Sequence, residues 1–114
     1  MISGIDPPDD AVGVLQDIHW SHGSFGYFST YSLGNLFAAQ FAATMRAAFP
    51  DMDARLAKGE TSFLREWQRT HIHRWGRIWR SNELSQRVTG EPLNPTHFIT
   101  YVTAKFERLY GLSH

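Results

Sequence analysis

Leu33, Phe37, Phe41, Met45 and Phe49 recur every four residues, with Leu36 beside them, and Pro50 follows directly. Apolar side chains at that spacing share one stripe of an α-helix, and proline cannot continue a helix, so the pattern predicts a helix over 32–49 that stops at Pro50. The other faces carry Ala38, Ala39, Ala42, Ala43 and Ala47 and few charges. Small residues let neighbouring helices approach closely, and a helix this poor in charge needs cover on more than one side.

Stop signals divide the rest of the chain. Asp51 is placed to cap a short helix through Lys58, stopped at Gly59. Thr61 or Ser62 opens the next helix, in which Leu64, Trp67, His71 and Trp75 share a face before Gly76. Ser81 or Asn82 opens another, with Leu84 and Val88 inward and Gly90 at its end. Asn94-Pro95 reads as a cap followed by proline at the first helical position. Beyond it Phe98, Tyr101, Val102, Phe106 and Leu109 form an apolar stripe up to Gly111. No alternating strand pattern competes, and neither an internal repeat nor a low-complexity tract is present. Residues 1–30 hold Pro7, Pro8, Asp9, Asp10 and four of the nine glycines, and read as loop with at most a short turn of helix. The expected fold is all-α: a helical bundle of about four to five helices over 31–114, preceded by a glycine-rich loop segment, in a single domain of 114 residues.

Charge narrows the partners. Eleven basic and eleven acidic side chains cancel, so no global field draws the chain to phosphate backbones or anionic lipid, and nucleic acid and membrane are not expected as partners. The absence of cysteine excludes a disulfide framework and thiolate chemistry. The N-terminus has neither a basic start nor an apolar core, and no run approaches the roughly 20 apolar residues of a span, so the chain reads as soluble and unexported.

Gln16, Asp17, His19, Trp20, Tyr27 and Tyr31 fall within sixteen residues, punctuated by Gly23 and Gly26. The bland reading is that Gln16 and Asp17 bond backbone amides and Trp20 fills core; the sharper one is a binding site. Asp17, His19 and His22 have spacings too weak for a metal site, which needs a pattern such as His-x-x-x-His with a remote carboxylate. His71 and His73 read as a helix face and its solvent side. The interleaved Arg74, Trp75, Arg77, Trp79 and Arg80 are a nucleic-acid pattern only on paper, because both tryptophans are expected in the core.

Gly13, Gln16, Asp17, His19 and Trp20 match the motif GxxQDxHW letter for letter, and GYF-x-TY-x-LG and AAQ follow at 26–34 and 38–40. With FLREWQRTHIHRWGR, ELSQRVTGEPLNP and FITYVTAKFERLYGL further on, the chain resembles the carboxypeptidase Taq family of zinc metallocarboxypeptidases nearly end to end. That resemblance implies a nearly all-helical, cytoplasmic, commonly homodimeric enzyme that removes C-terminal amino acids, using zinc (or cobalt) held by HExxH and a downstream glutamate. This chain contains none of those ligands, so it is expected to be the C-terminal segment of such an enzyme, with no catalytic residue, no metal ligand and no activity of its own. Its partners would be the missing N-terminal catalytic region, the C-terminus of a peptide substrate, and further copies in a homo-oligomer.

A carboxypeptidase must hold a free carboxylate, and hydrogen-bond donors do that best in a partly desolvated pocket. Gln16, Asp17, His19, Trp20 and Tyr27 are carried over as substrate-binding residues: Gln16, His19 and Tyr27 as donors, and Asp17 to orient a histidine tautomer or an arginine. Phe25 and Phe28 are expected to anchor the Tyr27 turn in the core, and Tyr31 to pack at the helix entrance. Ser29 stands where the family often has proline, which loosens that turn. The rival reading is a free-standing, non-catalytic helical binding or oligomerisation module that kept the fold and lost the chemistry.

Overall fold

Six α-helices and two 3-10 turns, and no strand, make up the described residues of the computed structural model, Gly4 and 6–112. The ends of the expected loop and domain at 1–3, 5 and 113–114 lie outside that description. The helices are α1 (Ile18–Ser21), α2 (Ser29–Ala48), α3 (Met52–Ala57), α4 (Ser62–His71), α5 (Ser81–Thr89) and α6 (Thr96–Tyr110). Five of them follow the expected loop, and α1 is a single turn within it. The chain divides into two units, 1–33 and 34–114.

Short-range bonds order the first unit. The Asp9 carboxylate accepts from the Val12 N–H at 3.0 Å, and the Asp10 carbonyl accepts from the Gly13 and Leu15 N–H groups. A 3-10 turn at Val14–Gln16 follows. Gly13 is required by space: a Cβ there would lie 2.9 Å from Pro7 Cγ and 3.1 Å from the Asp9 carbonyl oxygen. Asp17 then caps α1, accepting from the His19 N–H at 3.0 Å. Gly26, at φ 74°, supplies the left-handed residue of the turn into α2.

Met45, Met52 and Trp67 form the buried core of the second unit, with Ala42, Phe49, Leu56, Phe63, Leu64, Ile72 and Val88 packed against it. The end of the four-residue repeat does what its spacing dictates: Met45 on α2 and Phe49 just beyond it turn inward, and α3, α4 and α5 close over them, while Leu33 is 45% exposed. Phe49 and Phe63 meet edge to face at 5.0 Å. Asp51 and Thr61 occupy the N-cap positions of α3 and α4 without a capping side-chain bond. At α6 the cap chemistry is the expected one, shifted by a residue: Pro95 has helical dihedrals and the Asn94 side chain accepts from the Thr96 N–H at 3.0 Å.

The structure departs from the sequence pattern at the end of α4 and at the two tryptophans beyond it. The helix expected to reach Trp75 ends at His71, and His73–Trp75 tighten into a 3-10 turn before Gly76. The changed period takes Trp75 off the Leu64–Trp67–His71 face and leaves it exposed, with Trp79 half-buried, so the two tryptophans are not core. The stripe on α6 is present but mostly uncovered, since no α6 residue is buried.

Candidate functional site

His19 is the centre of the first unit. Asp17 Oδ1 lies 2.7 Å from His19 Nδ1, and the same oxygen takes the His19 backbone N–H. A carboxylate there keeps the ring proton on Nδ1, so in the neutral ring Nε2 presents its lone pair. Nε2 sits 3.3 Å from the Tyr31 hydroxyl, the natural donor to it. Three aromatic rings surround the imidazole: Tyr27 stacks on it at 5.3 Å, Phe28 meets it edge-on at 5.3 Å, and Tyr31 at 5.7 Å.

The local backbone explains why these groups meet. Asp17 and His19 are the N-cap and second residue of one helical turn, so the short carboxylate folds back over the turn it caps. Tyr27 and Tyr31 are four residues apart where the chain enters α2, and their rings meet at 5.7 Å. Ser29, the expected loosening, instead ties the turn: its hydroxyl donates to the Gly26 carbonyl at 3.0 Å, and the Thr30 hydroxyl donates to the Tyr27 carbonyl at 2.7 Å.

Partial burial pushes the Asp17 carboxyl up. Hydrogen bonds from the His19 ring and from the His19 and Trp20 N–H groups, together with the His19 charge, outweigh it and hold the carboxyl below its ordinary value. Asp17 therefore stays an anion through the neutral range.

A family model for the carboxypeptidase Taq (M32) metallopeptidases matches residues 2–106. The chain belongs to this family. It is 44% identical over 108 residues to thermostable carboxypeptidase 1 of Thermus thermophilus, covering 95% of this chain and 21% of that protein. It is 39% identical over 109 residues to carboxypeptidase 1 of Bacillus subtilis, covering 96% and 22%. Among solved structures, the family carboxypeptidase of Deinococcus radiodurans R1 superposes with a TM-score of 0.89 at 39% identity over 96% of this chain and 22% of that one. The carboxypeptidase of Pyrococcus furiosus does so with a TM-score of 0.84 at 41% identity, over 90% and 21%. The chain thus spans about a fifth of the length of these carboxypeptidases.

Against this metallopeptidase background, the donor set of the chain can be tested for a metal. Among the described residues, no three His, Asp or Glu side chains are grouped so as to hold an ion. His19 gives Nδ1 to Asp17, and His22 gives Nδ1 to the Ile18 carbonyl at 2.9 Å. The described residues do not fit a catalytic metal, and none of the chemistry of this segment is routed through one.

The residues singled out in the sequence part ways. Asp17, His19 and Tyr27 come together. Gln16 stands apart, exposed, with its amide donating to the Ala11 carbonyl at 2.6 Å. Trp20 packs on Phe25 at 5.8 Å and fills no core. Phe25 and Phe28, expected as core anchors, are 74% and 65% exposed; the Phe25 ring meets Trp20, and the Phe28 ring meets His19 and Tyr31. Tyr31, read as packing, places its hydroxyl on the imidazole. The signal that could have found it is the spacing Tyr-x-x-x-Tyr at a helix start.

Proposed function

We propose that this chain is the C-terminal, cleft-forming segment of a zinc-dependent carboxypeptidase that removes C-terminal amino acids from peptides, with Gln16, Asp17, His19, Trp20 and Tyr27 binding the substrate. Zinc or cobalt would be held by residues outside this segment, and the isolated chain would hydrolyse nothing. The setting would be the cytoplasm, where the intact enzyme would be a homo-oligomer. No helix of the described residues is long and apolar enough to cross a membrane.

The observation that carries this reading is the Asp17–His19 pair with Tyr27 stacked on the ring. With Nδ1 held by Asp17, Nε2 is the ring nitrogen left to meet a substrate's terminal carboxylate, as a charge-assisted donor whenever the ring carries both protons. Tyr27, 49% exposed, would shield the ring from water on one face and offer its own hydroxyl. Gln16 retains a second amide N–H beyond the one given to Ala11. Together these groups would bind, orient and partly desolvate the carboxylate while the scissile bond is placed elsewhere.

The test is a full-length family carboxypeptidase carrying this segment in place of its own. His19→Ala is expected to lower kcat/KM for a blocked dipeptide by about a hundredfold, the loss of a charge-assisted contact in a desolvated site, with metal content unchanged. Normal turnover in that variant would overturn the substrate-wall assignment, and chelator-sensitive hydrolysis by the 114-residue chain alone would place the chemistry inside it.

A further inference from the structure

The neutrality of the chain conceals a strongly basic stretch. Residues 62–89 carry six arginines against only Glu66 and Glu83. Within the second unit, Arg74 and Arg87 line a cleft of about 330 Å³ together with Thr70, His71, Trp75, Trp79, Leu84 and Val88. Neither guanidinium has an ion-pair or hydrogen-bond partner among the described residues. Each instead lies against an indole: Arg87 at 3.7 Å from the Trp79 ring centre and Arg74 at 5.0 Å from that of Trp75. The two indoles are 6.4 Å apart.

We propose that this cleft is an anion-recognition site whose ligand is a carboxylate-bearing, apolar peptide segment. A guanidinium resting on an indole face uses its π surface there and keeps its in-plane N–H donors for a planar acceptor, with less rotamer freedom left to lose on binding. Two such forks beside Leu84, Val88 and the free edges of the indoles match an acidic side chain next to an aliphatic one. His71 adds a polar wall, its Nδ1 donating to the Trp67 carbonyl at 2.8 Å while its ring stacks on Trp67 at 4.6 Å. A single-stranded nucleic acid fits less well. Base stacking needs an open ring face, Arg87 already covers one face of Trp79, and a cleft of about 330 Å³ suits a pair of side chains better than a run of bases. This site stands whether or not His19 binds substrate.

The experiment titrates the 114-residue chain with a blocked peptide alternating glutamate and leucine, following tryptophan fluorescence. Saturable binding is expected, weakened at least about tenfold in Arg74→Gln/Arg87→Gln and in Arg74→Lys/Arg87→Lys, the second keeping charge and removing the fork. A peptide with glutamine in place of glutamate is expected not to bind. Absence of saturable binding by the folded chain, affinity unchanged in both double variants, or tighter binding of an oligothymidylate would each overturn the proposal. Repeating the titration on the full-length chimera identifies the source of the ligand. Retained binding marks a site for free peptides. Binding lost while the chimera becomes sensitive to Arg87→Lys in thermal unfolding marks a site filled by an acidic segment of the enzyme itself.

Discussion

The two units of this chain are held by different physics. In residues 1–33 none of the described residues is buried, and its side-chain hydrogen bonds reach no further than the twelve residues from His19 to Tyr31. In residues 34–114 the deepest side chains are polar: Gln40, 1% exposed, donates to Thr89 Oγ1 at 2.9 Å and the Pro92 carbonyl at 3.0 Å, and accepts from the Asn94 N–H at 2.9 Å. Those bonds bridge 49 to 54 residues of sequence. Ser85, fully buried, completes the knot by donating to the Glu91 carbonyl at 3.3 Å. The first unit is thus shaped by caps and turns around one imidazole, whereas the second is fastened at long range by a satisfied polar group within an apolar bundle. Local capping can aim a side chain; long-range closure ties distant helices to one another.

The contrast is open to direct attack. Gln40→Leu is expected to destabilise the second unit by at least about 2 kcal/mol in urea unfolding, because each buried group left unpaired costs about 1–3 kcal/mol. The His19 cluster, held by bonds within its own unit, should survive in mild denaturant. Simultaneous loss of the histidine signals would show that the first unit borrows its order.

Acid probes both units at once, since each holds one carboxyl below its ordinary value: Asp17 as described, and Glu91 through hydrogen bonds from His97 and Asn94. A carboxyl held low when folded contributes stability above its unfolded pKa, near 3.8 for Asp17 and 4.5 for Glu91, and loses it as pH falls through the folded value. Both pairs should therefore remain formed at pH 5 and open only below the ordinary carboxylate range, visible as ring-nitrogen shifts of His19 and His97. Opening of the Asp17–His19 pair above pH 5 would remove the anion from the site.

The smallest effect is expected for Tyr31→Phe, which removes one hydroxyl at an exposed position and should change stability by no more than about 0.5 kcal/mol. The ring nitrogens of His19 should nevertheless report it, with Nε2 shifting as its donor is lost. An unchanged Nε2 signal would place the hydroxyl in water rather than on the imidazole.

Much of this was legible in the residues. The period of four in Leu33 to Phe49, the stop at Pro50, the glycine ends at 59, 90 and 111 and the Asn94-Pro95 start are local signals with local causes, and the helices follow them. The pairing of Asp17 with His19 was equally local, two residues apart across a cap. Gln40 was visible only as a letter of AAQ, because nothing near it in sequence announces partners at 89–94. The Trp75 and Trp79 expectation failed for a related reason, as extending the period of α4 by one turn ignored the tightening at Ile72.

The sequence by itself determined the helical class, the helix ends apart from that of α4, the family and the composition of the loop around His19, since each rests on spacing along the chain or on side chains a few residues apart. Only the tertiary structure decided that Gln40 and Ser85 are the most buried side chains among the described residues, that the α6 stripe lies largely uncovered, and that Arg74 and Arg87 meet two indoles without a carboxylate partner among those residues. Burial and pairing between distant residues depend on which helices close on one another, and periodicity specifies a face without naming what will cover it.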